Sequence, residues 1–457
     1  PMRSWLPGLR ARVNLKARLR HTWRYSPPTI LSGGFLLLIA LGTALFATPF
    51  ASHQGMTFWE ALFTATASIT VTGMSLVDPA SELTLFGQLL VMVLFHLGGL
   101  GLMTFAVLTV MALGGRLGLK GQRLVREAMD QASPGDVMLL VRRVALLALG
   151  LEVSGAAVLA TVWVPAMGWT EGLWMSFFHA ASAFNNAGVS LLPDGLAPWA
   201  ATPVITLVIT GLFITGGLGF TVLTDLWRQR RLSKLSLHSK LTLTGTLILA
   251  VGAWLLIMAF EWTNGTTLAA VDSGSRPWLA WFVAVVPRSA GFSVVDMGSL
   301  YAPSVLLVMF LIFIGGGSNS TASGIKVSTF MVVVLATRAF LTGRRRPTAF
   351  RRTVSLDSVF RAYTVVVLSM LMVMLGCFLL VILEPEMKPM DVLFEGFSAF
   401  GTAGLSRGIT EDLSKPSQAI LMVLMFAGRI GPLALAFSLA RPRAVKLRYV
   451  EDQVQIG

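Results

Sequence analysis

Apolar residues gather into eight long blocks, near 30–50, 83–113, 137–164, 203–226, 241–262, 303–341, 359–383 and 419–440, separated by polar or basic stretches. About 20 apolar residues at 1.5 Å each cover roughly 30 Å of hydrocarbon, so each block predicts a membrane span. The first block follows a basic tail and runs through Leu36, Leu37 and Leu38 to Phe46 with no small-residue cleavage site. An uncleaved span is therefore expected rather than a signal peptide. Between alternate blocks lie segments too apolar to be plain connectors. Stretches such as 57–68 and 172–183 have helical character over about 12 residues, roughly 18 Å, which is half of a membrane. Such helices must enter and leave on one side.

These segments carry an internal repeat. Around a glycine they read Ser68-Ile69-Thr70-Val71-Thr72-Gly73-Met74-Ser75, Ala183-Phe184-Asn185-Asn186-Ala187-Gly188-Val189-Ser190, Val286-Pro287-Arg288-Ser289-Ala290-Gly291-Phe292-Ser293 and Ala399-Phe400-Gly401-Thr402-Ala403-Gly404-Leu405-Ser406. All four end in Gly, an apolar residue and Ser. An aromatic stands ten residues before each glycine (Phe63, Phe178, Trp281, Phe394), and an acid five to seven after it (Asp78, Asp194, Asp296, Glu411). The glycines lie 115, 103 and 113 residues apart, one per pair of spans. The second span of each pair is punctuated by Gly98-Gly99-Leu100-Gly101, Gly216-Gly217-Leu218-Gly219, Gly315-Gly316-Gly317-Ser318 or Gly428-Arg429-Ile430-Gly431. One such stretch would be ordinary helix packing. Four in register predict strands that meet on a common axis, because irregular backbone at membrane depth must be buried or line a wet cavity. The negative ends of four short helices would favour a cation there, and glycine would let successive carbonyls replace its hydration shell. For the glycine-rich second spans, close packing against the strands is the expected role.

Composition supports the membrane reading: 54% of the 457 residues are hydrophobic and 13% charged, against roughly 25% charged in soluble domains. A net charge of +14 would suggest nucleic acid in a soluble protein. Here 29 of the 36 basic residues fall in five clusters after alternate spans, which places both termini in the cytoplasm and makes nucleic acid an unneeded partner. The expected layout is a basic tail at 1–28, repeats at 29–115, 137–230, 231–342 and 354–440, linkers at 116–136 and 343–353, and a C-terminal tail at 441–457. Fourteen of 22 acids fall in the opposite loops, among them Asp391 and Glu395. They either attract cations to an outer vestibule or simply solvate those loops.

The sixth block is interrupted by nine residues, 315–323, that are all Gly, Ser, Asn, Thr or Ala. An irregular, protein-facing or water-facing segment is expected there, with Gly315, Gly316, Gly317, Ser318, Asn319, Ser320 and Lys326 as gate candidates together with the mid-span Arg429. A fixed cation about 8 Å from a permeating one, at an effective dielectric of about 20, repels it by about 2 kcal/mol. The alternatives are that Lys326 snorkels to the interface and that Arg429 caps carbonyls of the break. Arg288 is expected to pin the third strand through neighbouring carboxylates, and Glu152 to serve as a buried structural acid or partner of a base. The five scattered His and lone Cys377 offer no metal cluster, disulfide or paired catalytic groups.

With these residues in view the chain resembles the Trk/Ktr/HKT superfamily of potassium transporters from about residue 30 to 440, and within it the membrane subunits of Ktr systems. The resemblance rests on the four glycine segments, on the 315–326 loop and on Gly428-Arg429-Ile430-Gly431-Pro432. It implies an all-α membrane protein of four M1–pore helix–M2 repeats around one pseudo-fourfold pore, with eight transmembrane spans and four re-entrant helices. It further implies a filter built from Thr70, Val71, Thr72, Gly73, Asn185, Asn186, Ala187, Gly188, Arg288, Ser289, Ala290, Gly291, Gly401, Thr402, Ala403 and Gly404. K⁺ is the implied transported ion, Gly73 matching the potassium-selective members, with Na⁺ left open and no covalent cofactor. A homodimer in the cytoplasmic membrane docked on a cytosolic ring of nucleotide-binding RCK subunits is implied, the basic loops being the candidate docking surface. Val189 and Ser289 depart from the usual Phe and Thr. The competing reading is a Na⁺- or H⁺-coupled transporter with alternating access between inverted halves; four parallel units fit one static pore better.

Overall fold

A computed structural model describes residues 27–99, 134–192, 195–432 and 435. Of the expected basic tail only 27 and 28 are described, and of the 116–136 linker only 134–136; the 441–457 tail, the distal part of the second block with Gly101, and Asp194 lie outside the described residues. Four units follow one another, each a helix, a shorter helix, an irregular glycine-centred segment, termed its strand, and a further helix. The first holds α1 (Pro27–Phe46), α2 (Phe58–Thr70) and α3 (Leu85–Gly99), and the second α4 (Pro134–Met167), α5 (Trp169–Phe184), α6 (Pro203–Leu218) and α7 (Phe220–Gln229). The third holds α8 (Leu237–Glu261), α9 (Arg276–Val285), α10 (Ala302–Phe313) and α11 (Val327–Leu341), and the fourth α12 (Leu356–Leu383), α13 (Pro389–Gly401) and α14 (Lys415–Ile430). Between the third and fourth units β1 (Thr348–Ala349) pairs with β2 (Arg352–Thr353) across a tight turn.

Among the described residues three helices are long and apolar enough to cross a membrane, Arg142–Met167, Leu237–Glu261 and Leu356–Leu383, and α6 with α7 makes a fourth if the bent pair counts as one. Their outward faces expose leucines and phenylalanines such as Leu247, Leu371 and Phe378, as a helix bathed in acyl chains should. The short helices have 13, 16, 10 and 13 residues. At 1.5 Å per residue none exceeds about 24 Å. Sequence starts and stops each of them. Thr57 and Glu60 form a capping box on α2, and proline occupies the first turn of α9 and α13, where its missing N–H costs nothing. Pro287 follows the end of α9 and leaves it the shortest. Three of the four aromatics ten residues before the glycines, Phe63, Phe178 and Phe394, are fully buried, while Trp281 is half-buried against Trp254.

Two of the expected uninterrupted spans are broken. The 203–226 block bends by 95° at Gly219, whose φ of 95° only glycine adopts without strain. The 419–440 block leaves its helix at Gly431, with φ 93°. Both are the last residue of a glycine quartet, while the first residue packs. A Cβ on Gly216 or Gly428 would run into the carbonyl of Phe184 or Phe400, four residues before the strand glycines, and one on Gly98 would strike that of Ile69. The expected close packing is thus found in three repeats. In the third, Gly315 abuts Ser323 of its own loop instead, because the sixth block is interrupted from 314 to 326, with Ile314 and Ile325 paired side by side at its two ends.

Replacing Gly216 with Ala should cost about 1–3 kcal/mol by overpacking, whereas Gly150→Ala, with open space around it in α4, should be neutral or gain up to about 1 kcal/mol of helix propensity. Thermal unfolding of the purified, detergent-solubilised variants measures the contrast.

Candidate functional site

Each short helix delivers its strand through the same backbone device. Val71 (φ 58°, ψ 47°) and Thr402 (φ 45°, ψ 48°) close α2 and α13 in the left-handed region, and Asn186 (φ 57°) and Ser289 (φ 69°) hold the equivalent place. Two residues on, Gly73, Gly188, Gly291 and Gly404 have φ of 80°, 66°, 73° and 72°. The N–H groups of Thr72, Ala187 and Ala403 reach back five residues to the carbonyls of Ala67, Ser182 and Ser398 at 2.8, 2.8 and 2.9 Å, a Schellman closure that satisfies the helix end. In the third repeat Ala290 bonds instead to Val286 at 3.1 Å.

The four glycines interlock. A Cβ on Gly73 would strike the carbonyl oxygen of Ala187; one on Gly188 would lie 2.7 Å from that of Ala290; one on Gly291, 2.9 Å from that of Ala403; and one on Gly404 would strike that of Thr72. Every glycine abuts the carbonyl just before the glycine of the next repeat, and the fourth closes on the first. The residues expected at the filter, Thr70 to Gly73, Asn185 to Gly188, Arg288 to Gly291 and Gly401 to Gly404, are therefore brought together as one ring, in chain order. Beyond it, each Gly-x-Ser serine closes a turn with the residue two positions on: Ser75 Oγ and Ser293 Oγ donate to the carbonyls of Val77 (2.5 Å) and Val295 (2.6 Å), and Ser190 Oγ and Ser406 Oγ accept from the N–H groups of Leu192 (3.0 Å) and Gly408 (2.9 Å).

On the side of the ring away from these serines sits the 314–326 loop. Thr321 Oγ1 donates to the Phe184 carbonyl at 3.2 Å and accepts from Asn186 Nδ2 at 2.5 Å. Ser323 N–H donates to Ser289 Oγ at 3.4 Å, which itself donates to the Gly401 carbonyl at 2.8 Å. Gly317 N–H bonds the Gly217 carbonyl at 2.7 Å, and Phe220 N–H the Asn319 carbonyl at 2.9 Å, so the loop fills the bend at Gly219. Gly316 O accepts from Val327 N–H at 2.9 Å, Ser318 Oγ meets Ser328 Oγ at 3.1 Å, and Ser320 Oγ donates to the Gly317 carbonyl at 2.7 Å. Lys326 Nζ is held to its own loop by the Ala322 carbonyl at 2.7 Å. Arg429 does cap the break: it donates to the carbonyls of Thr321 and Gly98, to Ser323 Oγ at 3.1 Å and to the Gly99 carbonyl at 3.1 Å. Through Thr321 and Arg429 the loop touches all four repeats. Thr321 and Ser323 carry these contacts although the sequence-based gate set passes from Ser320 to Lys326 without them; their membership of the same polar run is the signal.

Other expectations need correction. Arg288 has no carboxylate partner among the described residues; its Nη2 donates to Thr246 Oγ1 at 3.3 Å and to the Gly315 carbonyl at 3.4 Å, because α8 and the loop, rather than acids, pack beside it. Glu395 is not a solvating loop acid. It is fully buried and accepts from Ser406 Oγ (2.6 Å), Arg407 N–H (3.0 Å) and Thr410 Oγ1 (2.9 Å). Asp391 is paired with Arg407 at 2.5 Å. Glu152 serves both roles foreseen for it, facing His96 Nε2 at 3.1 Å and accepting from Asn185 Nδ2 at 2.9 Å.

Four interlocked glycine turns carried by short buried helices, inside a shell of apolar helices, define a multi-pass membrane protein with its irregular backbone gathered at one internal ring. The chain belongs to the TrkH family of cation transport proteins, matched over residues 33–447. It is 44% identical to the Ktr system potassium uptake protein B of Bacillus subtilis over 95% of this chain and 97% of that one, and 39% identical to the protein of the same name from Vibrio alginolyticus over 94% and 95%. The potassium/sodium uptake protein NtpJ of Enterococcus hirae is 34% identical over 97% and 99%. The fold is that of the crystal structure of the potassium transporter TrkH from Vibrio parahaemolyticus, with TM-score 0.70 at 17% identity over 90% of this chain and 85% of that chain.

Because Glu152 is 2% exposed and holds Asn185 at the start of the second strand, Glu152→Leu should destabilise the protein by about 1–3 kcal/mol by stranding a buried amide. Glu152→Gln should cost less. Thermal unfolding with retained monodispersity reads both.

Proposed function

We propose that this chain is the membrane subunit of a potassium-uptake system in which K⁺ crosses the cytoplasmic membrane through the ring of Gly73, Gly188, Gly291 and Gly404. The single observation that carries this is the cyclic contact of the four glycines with one another's neighbouring carbonyls. Left-handed residues at alternate positions, Val71 and Gly73 and their counterparts, turn the backbone so that carbonyls can face one axis and substitute for water around a bare cation. The C-terminal ends of four short helices add partial negative charge at the same place. Selection for K⁺ rests on the spacing of these carbonyls, and the names of the relatives agree with that ion.

In this reading the helices form eight spans, α6 with α7 and α10 with α11 each counting as one broken span, and the short helices are four re-entrant helices. Both termini and the basic clusters lie in the cytoplasm, and the serine turns face outside. At that outer rim, burial raises the Glu384 carboxyl, but hydrogen bonds from Ser414 and Ser417 outweigh it and hold it below the ordinary glutamate value. It is therefore an anion at neutral pH. The 314–326 loop is the gate: it lies across the inner side of the ring, and Arg429 of the fourth repeat latches it to the first. A homodimer docked on a cytosolic RCK ring would act on this loop from below. A coupled transporter with two rocking halves is the second reading; a ring whose four members interlock in chain order disfavours it, since halves could not separate without breaking that ring.

Rb⁺ uptake into liposomes, with Na⁺ and membrane potential varied separately, tests the assignment. Gly73→Ser and Gly404→Ser should each lower the Rb⁺/Na⁺ uptake ratio about tenfold or more, as a Cβ displaces a ring carbonyl; an unchanged ratio would remove the filter assignment. Deleting 315–323 should raise Rb⁺ flux in correctly inserted protein, and the pairing of Ile314 with Ile325 lets the cut ends rejoin. Equal or lower flux would remove the gate.

A further inference from the structure

The residue nine positions before each ring glycine differs between repeats: Thr64, His179, Phe282 and Glu395. All four side chains are buried behind the strand that follows. His179 Nδ1 lies 2.9 Å from the Met175 carbonyl and must carry the proton there, which leaves Nε2 to accept from Ser190 Oγ at 3.0 Å. Glu395 Oε1 accepts from Ser406 Oγ at 2.6 Å and from Arg407 N–H at 3.0 Å. In the second and fourth repeats the Gly-x-Ser serine is thus tied back to its own short helix. In the first and third it is not: Ser75 and Ser293 spend their protons on the carbonyls of Val77 and Val295, inside their own turns. Thr64 Oγ1 is buried without a partner among the described residues, and it borders a cleft of about 90 Å³ shared with Ser68, Ser75 and Ser190. Phe282 offers no polar atom.

We infer that His179 and Glu395 are positioning residues that hold the second and fourth strands against their helices, so that one diagonal of the ring is braced and the other is self-supported. The inference rests on the filter reading above. It makes ion discrimination depend on two hydrogen bonds outside the ring itself, at Ser190 and Ser406. Glu395 is also close to Asp391, whose charge is taken up by Arg407, and no ion pair joins His179 among the described residues.

The test compares Rb⁺/Na⁺ uptake ratios in liposomes for Glu395→Leu, Glu395→Gln, Ser406→Ala, the Glu395→Leu/Ser406→Ala pair, His179→Leu, His179→Gln and Ser190→Ala, with Thr64→Val and Gly404→Ser alongside. The Leu and Ala variants should lower the ratio at least about threefold, the size expected for one lost hydrogen bond. The pair should be no worse than its worse member, and the two Gln variants, which can still accept from serine, should stay within about twofold of the parent. If Glu395→Leu fails to fold, Ser406→Ala and Glu395→Gln still read the same bond. Ratios unchanged by Ser406→Ala and Ser190→Ala while Gly404→Ser lowers them would overturn this inference alone. Gln variants as damaging as Leu, or an equal loss in Thr64→Val, would overturn it too. A ratio insensitive to Gly404→Ser would instead sink the filter reading.

Discussion

The structure depends on keeping irregular backbone satisfied where no bulk water can reach it. Each unpaired peptide group in hydrocarbon costs several kcal/mol, so a chain that leaves the helix at membrane depth must surround the exit with its own donors and acceptors. This protein does so in concert at all four exits. Schellman closures satisfy three helix ends, serine turns settle the strands after the ring, and a glycine stands wherever a strand meets the carbonyl that precedes the next repeat's glycine. A β-carbon at any of these four points would push the ring open.

The 314–326 loop meets the same constraint by borrowing partners from its surroundings. Its peptide groups bond to the bent fourth block and, at Ser323, to the Ser289 hydroxyl of the third repeat, its Thr321 hydroxyl bonds to the helix end of the second, and its Thr321 carbonyl accepts from Arg429 of the fourth. A guanidinium suits this task because it spreads five donors over a rigid plane and so can hold acceptors of two repeats at once. Its charge and its hydrogen bonding therefore serve one purpose: they are matched to carbonyls that a neutral side chain could not gather.

Much of this was legible in the chain. The fourfold glycine spacing, the short helices, the broken sixth block and the tight packing of Gly98, Gly216 and Gly428 all follow from local composition, because glycine at fixed intervals has few structural uses. The bends at Gly219 and Gly431 were not foreseen. A glycine inside an apolar run is compatible with a continuous helix, and only the loop lodged beside Gly219 decides otherwise. The partners of Arg288 were misjudged for a similar reason: sequence shows that an arginine needs acceptors but not that a threonine and a carbonyl from elsewhere will supply them. Glu395 is grouped with the loop acids in the sequence because it lies between the seventh and eighth apolar blocks, whereas its burial follows from its place on α13, on the face toward the strand.

The contact between Gly404 and Thr72 joins the two ends of the polypeptide's membrane domain. On a ribosome the first strand is made long before the fourth, so for most of synthesis the earlier turns have an unfilled edge facing the gap. Loop-closure entropy makes so distant a pairing late and slow. Truncated or stalled chains should consequently display that raw edge, marking them for membrane proteases until the last segment arrives to seal it.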